Sequence, residues 1–327
     1  MHLFSSTLRL AAAGALALAA CTSAMATDAY PSRPLTMVIP FPPGGAADVL
    51  GRVIAQKLGD TLGKPVVIDN RAGAGTIIGA SFVAKAPPDG YTLLLSSGST
   101  FTVNPAIRSD LPYDPVRSFE PIGVTGRSSL VLLANTDVPA KTLQQFVDYV
   151  KGAPGKYAYG SFGSGSTSHF AAETVLAMTG LKMTHVPYKG SAPAMTALIG
   201  GQVPFTFDTV TAALPQLRNG KIRAIAVTSA RRSALLPQVP TMAESGYGGI
   251  DMDTWLALMA PRGLPAEVKR TLEKALATAM QDADTRARLT AMGFDPAHVN
   301  AAGTADLIDK ELPAMRALAQ RAHIQAD

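Results

Sequence analysis

Leu35-Thr-Met-Val-Ile-Pro-Phe-Pro-Pro-Gly-Gly-Ala-Ala-Asp-Val-Leu-Gly-Arg-Val-Ile54 is the stretch from which the fold is read. Its first seven residues, Leu35–Phe41, are an apolar run of strand length. Val49, Leu50, Val53, Ile54, Leu58 and Leu62 then recur at the spacing of one helix face. The prolines and glycines between them form a tight turn, so the segment opens a strand–turn–helix unit. Working outward, 65–70 reads as a second strand, 76–86 as a helix and 91–96 as a third strand. Such alternation requires parallel strand pairing with helical crossovers.

A second unit follows Arg127. Helices are expected at 142–151, 166–179, 192–199 and 212–218, with short apolar strands at 157–162, 183–188, 203–208 and 222–228. The segment 251–260, which holds the only tryptophan, Trp255, reads as a strand returning to the first unit. Two α/β lobes result. Residues 27–127 plus 251–327 form a discontinuous first lobe, 128–250 form the second, and two crossings near 125–134 and 251–260 serve as the hinge. Long helices should close the chain, with Pro313 kinking or shortening the last one.

Residues 1–26 stand apart. Arg9 precedes the apolar run 10–20, and Ala24-Met25-Ala26 has the small-residue form of a signal-peptidase site. Cys21, the only cysteine, follows Leu18-Ala19-Ala20 and has the form of a lipoprotein box. Cleavage after Ala26 would release a cysteine-free chain, whereas cleavage before Cys21 would anchor it by lipid. Neither outcome provides a disulfide framework. Without its first 26 residues the chain carries 28 basic and 24 acidic residues, net +4. That surplus suits anionic solutes, but no basic run with interleaved aromatics suggests nucleic acid.

Three loops crowd glycines and small hydroxyls where strands give way to helices, the ligand-binding edge of open α/β sheets. The first, 40–48, offers Phe41, Gly44, Gly45 and Ala46, with Asp48 in the following helical turn. The second, 161–169, offers Ser161, Gly165, Ser166, Thr167 and His169 before a helix. Free N–H groups at either helix start would attract an anion. The third, 70–76, reads with Gly79 as G-x-G-x-x-x-G, a weak variant of a dinucleotide fingerprint. No cofactor is expected from it. The histidines beyond residue 26 (His169, His185, His298 and His323) show no metal-ligand spacing, and no G-x-S-x-G elbow is present. Neither a metal nor a catalytic residue is therefore expected. His169 with a nearby serine leaves an exported hydrolase as the rival reading, and a ligand-presenting sensor partner as a third.

The order of these motifs resembles the tripartite tricarboxylate transporter receptor (Bug-type) family. The resemblance rests on 40–45 with Asp48, Asn70–Gly75, Asp89–Leu93, Gly163–His169, His185–Gly190, Gly200–Val203, Phe207-Asp208 and Pro240-Thr241. It implies a two-lobed, type II-like Venus-flytrap periplasmic binding protein with a parallel-rich sheet in each lobe. It also implies a monomer that delivers a small carboxylate to inner-membrane transporter subunits. One carboxylate would sit between the two loops, held by backbone amides and hydroxyls. For the far end of the ligand the candidates are Ser96, Tyr188 and Asp208.

Overall fold

Strand β1 (Leu35–Ile39) is almost wholly buried, and Pro40 ends it. Helix α1 (Ala46–Leu62) follows and turns Leu50, Val53, Ile54 and Leu58 inward, so the spacing read from the sequence is the buried face. The chain is described here by a computed structural model covering residues 30–325; the signal-like segment 1–26 and Cys21 lie outside the described residues.

The first lobe continues with β2 (Val66–Asn70), α2 (Ile77–Ala84), β3 (Thr92–Ser97) and the short α3 (Asn104–Ile107). β1 lies between β2 and β3, parallel to both. Strand β4 (Phe119–Asn135) then runs for 17 residues through both lobes. The second lobe holds α4 (Leu143–Lys151), β5 (Ala158–Ser161), α5 (Thr167–Thr179), β6 (Thr184–Pro187), α6 (Ser191–Ile199), β7 (Phe205–Thr209), α7 (Val210–Arg218) and β8 (Ile222–Val227). Here β5 lies between β6 and β7, again parallel to both. Strand β9 (Asp253–Pro261) returns to the first sheet between β3 and β4 and is antiparallel to each. Each lobe thus contains three parallel strands joined to a shared antiparallel seam.

β4 connects the lobes. Its residues 119–129 pair with β9, and its residues 130–135 pair with β7 on one edge and β8 on the other. Pro121, Gly123 and Gly126 interrupt the apolar pattern in the sequence, and the pairing shifts register at those points. The strand therefore bends without ending, as bulged strands do.

Two helices differ from expectation. α9 (Ala283–Ala291), between α8 (Ala266–Gln281) and the short β10 (Val299–Asn300), had no clear sequence signal. The last helix, α10 (Ala301–Arg321), runs through Pro313 for 21 residues instead of being shortened by it. Ile308 packs with Trp255 and Phe101 in the first lobe, whereas Ala319 packs with Phe146 and Phe205 in the second. The end of the chain therefore does not lie wholly with the first lobe; the apolar faces before and after Pro313 are buried against different cores.

Candidate functional site

The turn after β1 places Gly45 at the N-cap of α1 with φ −81° and ψ 171°, and no side chain caps the helix. A helix start leaves its first N–H groups without intrahelical partners. At Ala46 and Ala47 those groups have no partner among the described residues. Asp48 does not face outward. It is 3% exposed, and its carboxylate accepts hydrogen bonds from Gly44 N (3.0 Å), Arg52 Nε (2.9 Å), Arg52 Nη2 (3.0 Å) and Asn70 Nδ2 (3.1 Å). Asn70 also donates to Phe41 O, at 3.0 Å. Burial opposes ionisation of Asp48, but the bonds from Arg52, Gly44 and Asn70 outweigh it and hold the carboxyl below its ordinary range. Asp48 braces the turn; its lone pairs are already committed.

The second-lobe loop looks similar in sequence and differs in chemistry. Ser166 caps α5 by accepting from His169 N at 3.2 Å, and Gly165 N donates to His169 Nδ1 at 3.4 Å. Thr167 N donates across the lobes to Ser99 Oγ at 3.0 Å. Ser161 is fully buried, lies 2.6 Å from His185 Nε2, and accepts from Gly163 N at 3.0 Å. His169 is 3% exposed and stacks on His185 with 4.1 Å between ring centroids. Thr167 N and His169 N at the start of α5 are thus taken by the protein itself.

The uncapped helix start in the second lobe is instead that of α6. Its N-cap is Gly190, without a side-chain cap, and Ser191 and Ala192 N–H have no partner among the described residues. Ser191 Oγ reaches both oxygens of Asp208, at 2.8 and 2.9 Å, and Thr209 N donates to the same carboxyl at 2.7 Å. Asp208 is fully buried. Burial raises it to about 7, although the bonds from Ser191 and Thr209 pull the other way.

The starts of α1 and α6 face each other. A narrow cavity of about 30 Å³ is lined by Phe41, Pro42, Gly45, Ala46 and Ala47 from the first lobe and by Phe162, Thr167, Ser191 and Thr209 from the second. Ser97 and Thr254 complete its polar wall. A wider cavity of about 280 Å³ adjoins it and shares Phe41 and Phe162. The loop 73–76 lines that second space, together with Arg108, Ser164, Ser166, Tyr188 and Lys189. The glycines in loop 73–76 have a packing reason: a Cβ on Gly75 would lie 2.2 Å from Ser164 O across the lobes. The lobes are closed on each other here.

Of the residues singled out in the sequence, Phe41, Gly45, Ala46 and Thr167 meet around the smaller cavity, and Ser166 and Tyr188 line the larger. Gly44 lies on an outer groove. Ser96 is buried and hydrogen-bonded to Thr100 Oγ1 at 2.6 Å, while its neighbour Ser97 lines the cavity. Asp48, Ser161, His169 and Asp208 sit behind the walls. Sequence reasoning missed Ser191 and Thr209. The Gly190-Ser191 pair ahead of a helix, parallel to Gly45-Ala46, was the available signal.

A sequence model of the tripartite tricarboxylate transporter family receptor matches residues 50–324. The chain belongs to this family. Among receptor-like relatives, BugT of Bordetella pertussis is 38% identical over 282 residues, covering 86% of each protein. The periplasmic binding protein BugD superposes with a TM-score of 0.87 at 34% identity, covering 91% of this chain and all of that one. Rpa4515 of R. palustris, solved with adipate, gives 0.88 at 34% identity, covering 90% and 99%. MatC of Rhodopseudomonas palustris, solved with malate, gives 0.84 at 32% identity, covering 88% and 99%. The receptor family is periplasmic, and its two-lobed α/β fold is the one described above.

Proposed function

We propose that this receptor captures a small carboxylate in the cavity between its lobes and presents it to the membrane subunits of a tripartite transporter, without chemical change to the ligand. The observation that carries this reading is the pair of uncapped helix starts, α1 and α6, facing one cavity from opposite lobes. An anion entering there satisfies N–H groups that the fold leaves open and lies at the positive ends of two helix dipoles. Phe41, Gly45, Ala46, Thr167 and Ser191 form the contact set, while Asp48 and Asp208 hold it in shape. The adipate and malate in related structures are consistent with this class of ligand.

The same reading treats 27–127 with 251–327 and 128–250 as the moving lobes, the last turns of α10 bridging them. It places the chain in the periplasm as a monomer, exported by 1–26 and lipid-anchored only if cleavage occurs before Cys21. The hydrolase reading of His169 with a nearby serine lacks support: Ser166 and His169 are both buried, and Ser166 Oγ caps the helix by accepting from His169 N. Thermal denaturation across mono-, di- and tricarboxylates tests the proposal. A solute at about 100 times its Kd should add roughly 2.7 kcal/mol to stability. If no carboxylate shifts Tm while an uncharged solute does, or if a carboxylate ester is turned over, the proposal fails.

A further inference from the structure

Glu311 lies in α10, just before Pro313, and lines neither cavity. One of its carboxyl oxygens accepts from Thr102 Oγ1 at 2.7 Å and the other from Trp255 Nε1 at 2.7 Å. Thr102 belongs to the π-helical turn Ser99–Val103 after β3, whereas Trp255 belongs to β9. A single side chain from the end of the chain therefore joins two separate segments of the first lobe. Trp255 is 1% exposed and stacks on Phe101 of the same turn, with 5.9 Å between ring centroids. Its N–H has no solvent to turn to, and a buried indole N–H without a partner is costly.

Both segments carry a residue that meets Thr167 of the second lobe. Thr167 N donates to Ser99 Oγ at 3.0 Å, and Thr167 Oγ1 approaches Thr254 Oγ1 at 3.5 Å. Ser99 opens the turn that holds Thr102, and Thr254 is the chain neighbour of Trp255. Strand alternation turns Thr254 and Leu256 toward the smaller cavity and Trp255 to the opposite face, where Glu311 waits. Resting on the receptor reading above, the geometry points to Glu311 as a positioning residue for solute capture. It fixes the spacing of Ser99 and Thr254 so that Thr167 can close onto both. Since α10 continues past Pro313 into the core of the second lobe, the same helix that bridges the lobes also sets the contact between them. Without Glu311 the closed arrangement is less populated, and apparent affinity falls by that fraction.

Calorimetric titrations of the full receptor with malate, adipate and citrate provide the test. Glu311→Ala should weaken binding of whichever acid the wild type takes by about tenfold. Glu311→Gln should stay within about threefold of wild type. Its amide oxygen accepts from Trp255, and its amide N–H donates to Thr102 Oγ1, whose own hydrogen then goes to Gly98 O, 2.9 Å away. A role in stability alone would lower the melting temperature and leave Kd where it is. Positioning also predicts coupling: in a Ser99→Ala background, which lacks the acceptor for Thr167 N, the Glu311→Ala loss should shrink to below about threefold. Thr102→Val keeps the side-chain shape and loses the hydroxyl, so it carries the test if Glu311→Ala misfolds; it should weaken binding by about threefold. Wild-type affinity in the folded Glu311→Ala or Thr102→Val protein, or an undiminished loss in the Ser99→Ala background, overturns the inference and leaves the receptor reading intact. A wild type that binds none of the three acids removes the receptor reading and this inference with it.

Discussion

The starts of α1 and α5 look alike in sequence, each a run of glycine and small residues after a strand, yet α1 has no side-chain cap while α5 is capped by Ser166 and bonded across to Ser99. At α1 the nearest acid, Asp48, is tied to Arg52, Gly44 and Asn70, and the first N–H groups of the helix face the cavity. At α5 the hydroxyl-rich loop bonds to itself, to His169 and to Ser99 of the other lobe. Polar residues in a loop supply donors and acceptors, but whether a ligand can use them depends on which ones the protein has not already used. Lobe one leaves its helix start open toward the cavity; lobe two uses the corresponding one to hold its own loop and to meet the opposite lobe.

The largest effect that sharpens this contrast concerns Asp208, behind the second lobe's open helix. It keeps its proton in the folded protein up to about pH 7, whereas the unfolded chain releases it near pH 4. The folded state thus binds more protons across that window, and unfolding free energy falls as pH rises through it, by up to about 4 kcal/mol. Asp208→Asn, whose amide can still meet Ser191 and Thr209, should flatten that part of the profile. Denaturant titrations at pH 4 to 8 check it, and parallel profiles for the two proteins would mean that Asp208 is ionised throughout.

Gly165→Val comes next. Gly165 has φ +76°, and a Cβ there would lie 2.0 Å from Asn104 Oδ1 in the opposite lobe. Backbone strain and the clash together should cost roughly 2–3 kcal/mol, divided between folding and lobe closure. Chemical denaturation with and without ligand separates the two parts, and solution scattering should show less compaction at saturation.

Gly45→Val should act in the opposite way. Gly45 has ordinary backbone angles, and a Cβ would meet Ser191 Cβ at 3.7 Å, which is normal contact. The fold should tolerate the change, while the branched side chain fills the approach to Ala46 and Ala47 N–H. Carboxylate binding should weaken by at least about tenfold, or 1.4 kcal/mol, with the apo melting temperature nearly unchanged. Normal binding by a folded Gly45→Val protein breaks the contrast between the two helix starts.

Arg71→Ala should do least. Arg71 is paired with Asp69 at 2.7 Å, stacks over Phe82 and lines neither cavity. Calorimetry should record a change below about threefold; an abolished signal would substitute a direct ion pair for the amide site.

These particulars also show how much could be read in advance. Strand–helix alternation and the buried face of α1 were legible because apolar spacing reports directly on which face is buried. β4 was only half seen, since Pro121, Gly123 and Gly126 look like breaks while the sheet absorbs them as register shifts. Ser161, Ser166 and His169 were singled out by residue type, but type cannot reveal that the partners are internal. Ser191 was overlooked because its setting depends on Asp208, which lies on a different element.

The passage of β4 through both sheets has a consequence for the motion itself. A hinge made of a flexible loop would gain disorder on opening, and every capture of solute would have to reverse it. Here the pivot is an already hydrogen-bonded ribbon, with Thr228 bonded to Leu130 O at its waist and Met252 N bonded to Thr228 O beside it. An opening that pivots on this ribbon would be a change of twist in a strand pair, with little chain entropy to remove when the lobes close. Most of the free energy of anion binding is then available as affinity.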